Sequence, residues 1–209
     1  MRGAGLDSQD GALKFFLNET QQESENTMNQ HIDQNDIVLL RQAGMNEEDL
    51  GHSLAVAERA LDIVGRTGAA LDMNFIARGA LFHDLGKVRT HGIEHGEIGA
   101  ALGAELGLPE DIQAIMKKHI RGGMTRAEAL ELGLPDIDYT LHRLEERIII
   151  YADRLVDIIG DGVEPDPIKA EERFVEILTT IVRYGKNETT LNRYLRYHDE
   201  IQGLIGARP

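Results

Sequence analysis

Two aspartates set the terms for this chain. Asp84 lies in the run ALFHDLG and Asp153 in IIIYADRLV, each with apolar residues on both sides. A carboxylate carried into a protein interior on such a segment is costly unless an opposite charge meets it there. Whatever fold the sequence adopts must bring a cation to both. Arg78 or Arg154 would serve, and so would a metal ion. The histidines favour the metal. Of the eight in the chain, His83, His91, His95 and His119 fall around the first run, and His83 directly precedes Asp84. Adjacent side chains on a helix diverge by about 100°, yet at a helix end both can reach an ion lying off the terminus. The chain has no cysteine, so any metal rests on imidazole nitrogen and carboxylate oxygen.

The segments carrying these residues read as helices. Over 46–65, Leu50, Leu54, Ala57, Leu61 and Val64 recur at helical spacing. Glu47, Glu58 and Asp62 lie on another face, and His52 sits at the border of a second apolar strip, facing a crevice. Asp72 is the expected N-cap of a helix through MNFIARGALFHD, apolar on nearly every side and hence central, ending at Gly86. The loop KVRTHGIEH leads to a helix from about Glu94 to Leu106, and Pro109 opens the next, which carries KKHI. TRAEALEL forms a short helix stopped by Gly133 and Pro135. A long helix runs from about Leu141 to Ile159, and two more, roughly 168–184 and 189–204, close the chain. The expected class is all-α, a single helical bundle of about seven to nine helices. Its parts are a polar extension over 1–33, disordered or docked as a short helix, a core over 34–164, and a C-terminal helical pair over 165–209 packed on that core.

The formal net charge is −14, which argues against general nucleic-acid binding because phosphate backbones attract basic surfaces. No apolar run approaches the roughly 20 residues of a membrane helix. The start MRGAGLDSQDG lacks the basic-then-apolar order of a signal peptide. A cytoplasmic protein is the expectation. The charge is uneven: between Arg78 and Arg126 seven basic residues stand against six acidic ones. That stretch can tolerate an anionic substrate, or can simply carry solvated charges on helix surfaces.

The order His52, His83-Asp84, Asp153 resembles the H…HD…D signature of the HD-domain metal-dependent phosphohydrolases. The strings GHSLAVAERAL, GALFHDLGK and YADRLVD carry the likeness, over roughly residues 45 to 160. EHGEIGAALGAELGL and IMKKHIRGG are similar to the extra histidine segments of the binuclear subgroup. The resemblance is closer to short archaeal and bacterial HD proteins of unassigned substrate. It implies that His52, His83, Asp84 and Asp153 hold one ion, and that His95 and His119 hold a second with Asp84 bridging. One or two divalent transition-metal ions are expected: Fe, Mn, Co, Ni or Zn suit imidazole and carboxylate better than Mg does.

The implied activity is hydrolysis of a phosphomonoester or phosphodiester bond in a small nucleotide-like substrate by a metal-activated hydroxide. Asp84 and Lys87, three residues apart, are the catalytic candidates, with Lys87 opposing transition-state charge. Arg89, Arg121 and His91 are candidates for the substrate phosphate. HIRGG stands where a GYP-type string would follow His119, which disfavours a cyclic dinucleotide. Small cyclic phosphodiesters and nucleoside monophosphates rank first. His31, His142 and His198 lie outside every motif and are expected at the surface. A homodimer is compatible with this reading, and no membrane partner is expected. Two rival readings share the resemblance: an HD-fold mixed-valent di-iron oxygenase with the same ligands, and a non-catalytic HD signalling module. The full ligand set counts against the second.

Overall fold

The computed structural model describes residues 30–207. The extension expected over 1–33 lies almost wholly outside the described residues. Eleven α-helices account for the described chain, with no strand among the described residues. The all-α expectation therefore stands. The count exceeds nine because the C-terminal part is cut into short pieces.

Local chemistry fixes the helix starts. The Asp33 side chain caps α1 (Gln34–Gln42), and Asn46 caps α2 (Glu47–Thr67) through the Asp49 amide. Gly68, at φ +67°, closes α2 in the left-handed conformation that glycine adopts without a Cβ penalty. Asp72 caps α3 (Met73–Phe82) as expected, accepting from the Phe75 amide at 2.9 Å. The α-helix stops at Phe82, and a 3-10 turn covers Leu85–Val88. His83 and Asp84 thus sit in a break between two helical pieces. Next come α4 (His95–Glu105) and α5 (Glu110–Lys118), then a 3-10 turn over Ile120–Gly122. The short α6 (Arg126–Glu131) has a reciprocal capping box between Thr125 and Glu128.

The long α7 (Leu144–Gly160) is followed by α8 (Pro167–Glu172), α9 (Phe174–Thr180), α10 (Val182–Gly185) and α11 (Glu188–Gly206). The single helix expected over 168–184 is therefore three. At its second break, the Thr179 and Thr180 hydroxyls donate to the carbonyls of Val175 and Glu176 at 2.8 and 2.7 Å. Hydroxyls bonded back in this way compete with the helix ladder. The β-branched Ile181 follows in extended backbone, at φ −110° and ψ 98°, before α10 begins at Val182.

The core gathers around α3, which packs against α2, α5 and α7. Ile76, Ala77, Ala80, Leu81 and Phe82 are all fully buried. Each large apolar side chain removed from water there contributes about 1.5–3 kcal/mol. Phe174, Ile177, Tyr194 and Ile201 from the C-terminal helices join the same core. No helix among the described residues is long and apolar enough to cross a membrane.

Close backbone approach sets where α4 lies. A Cβ on Gly86 would stand 1.9 Å from the His95 carbonyl oxygen and 2.7 Å from the Gly99 nitrogen. One on Gly96 would stand 2.7 Å from the Met116 carbonyl oxygen. These glycines let α4 nest between the 3-10 turn after Asp84 and the end of α5. Gly79 differs, since its Cβ would meet only the flexible tip of Ile149 at 2.8 Å. Gly86→Ala is therefore expected to lower the melting temperature by at least about 5 °C, because backbone cannot yield as a side chain does. Gly79→Ala gains helix propensity against a soft clash and should stay within about 1 kcal/mol of wild type. Thermal unfolding of both variants checks this, and equal effects would remove backbone contact as the cause.

Candidate metal centre

Four helical elements and one break converge on Asp84. His52 comes from α2, His95 opens α4, His119 follows α5, Asp153 lies in α7, and His83 with Asp84 occupies the break after α3. Asp84 is 2% exposed and His83 wholly buried. The two Asp84 oxygens face different partners. Oδ2 lies 3.1 Å from His83 Nε2 and 3.6 Å from His52 Nε2. Oδ1 lies 3.2 Å from His95 Nε2 and 3.3 Å from His119 Nε2. Asp153 Oδ1 closes the first group, 3.0 Å from His52 and 3.5 Å from His83. All six residues expected to ligate metal are thus together.

Three of the imidazoles are held by one device. His83, His95 and His119 each donate Nδ1–H to the carbonyl three residues earlier, at Ala80, Gly92 and Met116, every bond 2.7 Å. In the neutral ring this leaves a lone pair on Nε2, aimed inward. His83 Nε2 is buried with no hydrogen-bond partner. His95 Nε2 and His119 Nε2 face one another at 2.7 Å. Lone pairs converging on carboxylate oxygens repel unless a cation sits at the focus, and a backbone-bonded Nδ1 is how metal-ligating histidines are oriented. The donor set of nitrogen and oxygen suits a transition metal. The cluster can therefore hold metal. The ligating atoms fall into His52–His83–Asp84, Asp84–His95–His119 and His52–Asp153–Asp157, each set within 4.8 Å.

The electrostatics agree. Burial alone would strip the proton from His83, but the Asp84 and Asp153 carboxylates outweigh it and hold the imidazole well above the usual histidine range. Burial would protonate Asp84, yet His83, His119 and His95 keep it well below the carboxylate range. His52 and His83 do the same for Asp153. Without metal the cluster retains a proton as its cation. Neither arginine considered as a partner fills that role. Arg78 pairs with Asp36 at 2.7 Å, and Arg154 with Asp157 at 3.0 Å.

A cleft of about 340 Å³ opens over the cluster. Lys87 reaches into it, its Nζ 2.6 Å from Asp84 Oδ2. Arg121 lines the cleft, and His91 stands at the exposed rim, 3.5 Å from Asp49. Arg89 is exposed and is not among the lining residues. Asp157 and Lys186, which the sequence does not single out, also line the cleft, as does Arg154, expected only as a partner for a buried carboxylate. Asp157 was legible in principle, one helical turn beyond Asp153. Burial and the Asp153 carboxylate push Asp157 up to about 6. Of the histidines expected at the surface, His142 is exposed but His198 is not. Its ring stacks on Phe174 with centroids 5.3 Å apart and bonds the Tyr151 hydroxyl at 2.9 Å.

The HD domain family model matches residues 49–178, a span that contains all six clustered residues. The chain belongs to the HD domain family. An uncharacterized protein of Methanocaldococcus jannaschii is 38% identical over 163 residues, covering 77% of this chain and 91% of that protein. The tRNA (cytidine(56)-2'-O)-methyltransferase of Thermoplasma volcanium is 35% identical over 170 residues, covering 80% of this chain. The chain spans 46% of that enzyme and 36% of its counterpart in Picrophilus torridus, 38% identical over 137 residues. Among solved structures, the HD domain of the L. monocytogenes phosphodiesterase PgpH, in complex with cyclic-di-AMP, aligns with a TM-score of 0.47. That alignment has 19% identity and covers 76% of this chain and 90% of that one.

The HD centre depends on a carboxylate outside it. Glu146 accepts from the amides of His142 and Arg143 at 2.7 and 3.0 Å and from Lys118 Nζ at 2.8 Å. It thereby ties the residue before His119 to the start of α7. Burial pushes Glu146 up, but these donors overcome it and hold the carboxyl below the usual range. A depressed folded value means that the ionised form adds stability above the unfolded pKa of about 4.3. That contribution is lost as pH falls through the lower folded value. Glu146→Gln is thus expected to cost about 1–3 kcal/mol at neutral pH, with the gap to wild type narrowing below about pH 4. Urea unfolding across a pH series checks this, and a gap that stays constant into acid would contradict it.

Proposed function

We propose that this HD protein is a metal-dependent phosphohydrolase that cleaves a phosphomonoester or phosphodiester bond in a small nucleotide-like substrate. One observation carries the reading: a buried carboxylate divides its two oxygens between two imidazole pairs. Asp84 Oδ2 faces His52 and His83, while Oδ1 faces His95 and His119. An aspartate between two metal-binding groups is suited to bridging, with His52, His83 and Asp153 on one side and His95 and His119 on the other. Family membership supports the same chemistry in general terms.

Divalent transition ions bound there supply Lewis acidity toward a phosphoryl oxygen and acidify water toward neutrality. The chain's own residues do the rest. The backbone-bonded imidazoles stay in one orientation, so the site does not reorganise as charge develops. Burial tends to discharge Lys87, but Asp84 and Asp153 overcome it and keep the ammonium protonated. Lys87 is therefore available to oppose negative charge on the phosphoryl group or the leaving oxygen. The cleft of about 340 Å³ suits a mononucleotide-sized ligand, at the lower end of small-molecule pockets. Assignment of residues 34–164 as the metal-binding core, with 165–209 packed on it, belongs to the same proposal, as does a cytoplasmic location. The methyltransferase activity of the longer relatives is not carried over, because the chain spans less than half of them.

Elemental analysis of the purified protein and of Asp84→Ala, beside assays on bis-p-nitrophenyl phosphate and a nucleotide panel with added Mn or Fe, tests the proposal. The expected result is about two transition ions per chain, both lost with Asp84, and at least a ~1000-fold fall in turnover. A single ion would remove His95 and His119 from the ligand set and leave hydrolysis standing. Two irons with oxygen-dependent turnover and no phosphate chemistry would replace the hydrolase with the HD-fold oxygenase.

A further inference from the structure

Backbone geometry marks two residues of the cleft that no metal-binding role explains. Among the described residues, the non-glycine positions with positive φ are Arg121, at +52°, and Lys186, at +61°. Both line the cleft over Asp84. Lys186, with ψ −76°, lies close to the mirror image of the common three-residue turn, a conformation that side-chain-bearing residues seldom take. Strain of this kind persists where the surroundings over-determine it, and it gathers at functional sites.

At Arg121 the over-determination is visible. Arg193 of α11 donates to the Arg121 carbonyl at 2.9 Å, and the Tyr197 hydroxyl donates to the Gly122 carbonyl at 3.0 Å. Tyr194 packs so close that a Cβ on Gly122 would stand 3.0 Å from its ring. Three side chains of one helix thus hold the turn that presents Arg121.

The charges fit the geometry. Most basic side chains of this acidic chain are spent on carboxylates, as in Arg78–Asp36, Arg147–Glu200, Arg173–Glu164 and Arg193–Glu128. Among the described residues neither Arg121 nor Lys186 has a carboxylate within ion-pair distance, although the protein carries a net charge of −14. Arg154 lines the same cleft, its guanidinium fixed by Asp157 at 3.0 Å and the Tyr194 hydroxyl at 3.1 Å. Burial, with Arg154 and Arg121 close by, pulls the Lys186 ammonium below its usual range. These cations are near enough to feel one another, and Asp157 is the acid among them.

We infer that Arg121, Lys186 and Arg154 form an anion subsite in the cleft, and that the substrate carries a second phosphate besides the one cleaved, as a nucleoside bisphosphate does. The inference rests on the proposal that the scissile phosphate meets the His/Asp cluster, and it narrows that substrate class. A phosphate offers three oxygens to a guanidinium fork and an ammonium, which a carboxylate cannot match. The cleft volume suits one nucleoside rather than two.

Calorimetric titration of adenosine 3′,5′-bisphosphate and of AMP into the metal-loaded protein tests the subsite, with hydrolysis of both nucleotides measured in parallel. The bisphosphate is expected to bind about tenfold tighter or better, the worth of one charge-assisted contact. Lys186→Gly removes the charge and relieves the positive φ, so it should hold or raise the melting temperature while abolishing the preference. Lys186→Arg should restore the preference. A turn of purely structural importance would give the stability gain alone, with the preference intact, and that result overturns the inference. Equal affinity for the two nucleotides in wild type overturns it as well, while continued hydrolysis of AMP would leave the proposed function standing. A preference that Lys186 controls, without hydrolysis of any phosphate ester, would keep the subsite and remove the hydrolase.

Discussion

The buried carboxylate of Asp84 is the contact on which the rest of the molecule depends. It stands at the end of the most buried helix, where an unpaired charge would cost several kcal/mol, and both of its oxygens are committed. Those commitments reach α2, α4 and the end of α5 through His52, His95 and His119. Lys87, one turn on, adds a fixed positive charge at 2.6 Å. The carboxylate is thus a node that couples core packing to site geometry. A helix cannot move without pulling an imidazole off Asp84, and Asp84 cannot lose its partners without becoming a buried charge. The break in helical structure at His83–Asp84 is what allows adjacent side chains to serve one focus. On an unbroken helix they would diverge by about 100°.

The node could be read from the sequence because it violates the usual separation of charge from core. Asp84 and Asp153 are conspicuous inside apolar runs, and that anomaly survives in one dimension. Helix starts were legible for a similar reason: Asp72 and Thr125 cap through bonds that span only three residues. Long-range pairing was not legible. Arg78 lies near Asp84 in the chain but is taken by Asp36, which is 42 residues away. Lys186 follows Asp153 by more than thirty positions and carries no motif, so nothing local assigns it to the cleft. His198 was read as a surface residue because its partners, Tyr151 and Phe174, belong to other helices. The break after Thr180 was missed because a hydroxyl bonded back to a carbonyl leaves the helical spacing of apolar residues unchanged.

The near-neutral stretch between Arg78 and Arg126 takes on a different meaning in three dimensions. Arg78, Lys118 and Arg126 are engaged by Asp36, Glu146 and Asp136, and Lys117 lies beside Glu97. These cations stabilise helix junctions and are not available to a ligand. Arg121 is different, and so is Lys186 from well outside the stretch. Local charge balance along the chain does not separate paired cations from unpaired ones. Arg121 and Lys186 share a positive φ, which Arg89, the other cation of the stretch with no carboxylate partner among the described residues, lacks at φ −116°.

Such an arrangement answers a problem that strong acidity creates. A protein of net charge −14 repels phosphate esters at long range, over a Debye length of about 8 Å at physiological salt. On the proposed reading the same ligand would meet Lys87, Arg121, Arg154 and the exposed Lys186 in the cleft, and the charges that are partly or fully buried there count for more than they would at the surface. Attraction confined to short range favours ligands small enough to enter and dense enough in charge to use several cations at once. Polymeric phosphate needs an extended basic surface, which a net charge of −14 disfavours. On that reading, selection by charge density and not by total charge follows from gathering several cations where the buried carboxylates and imidazoles already demand a polar interior.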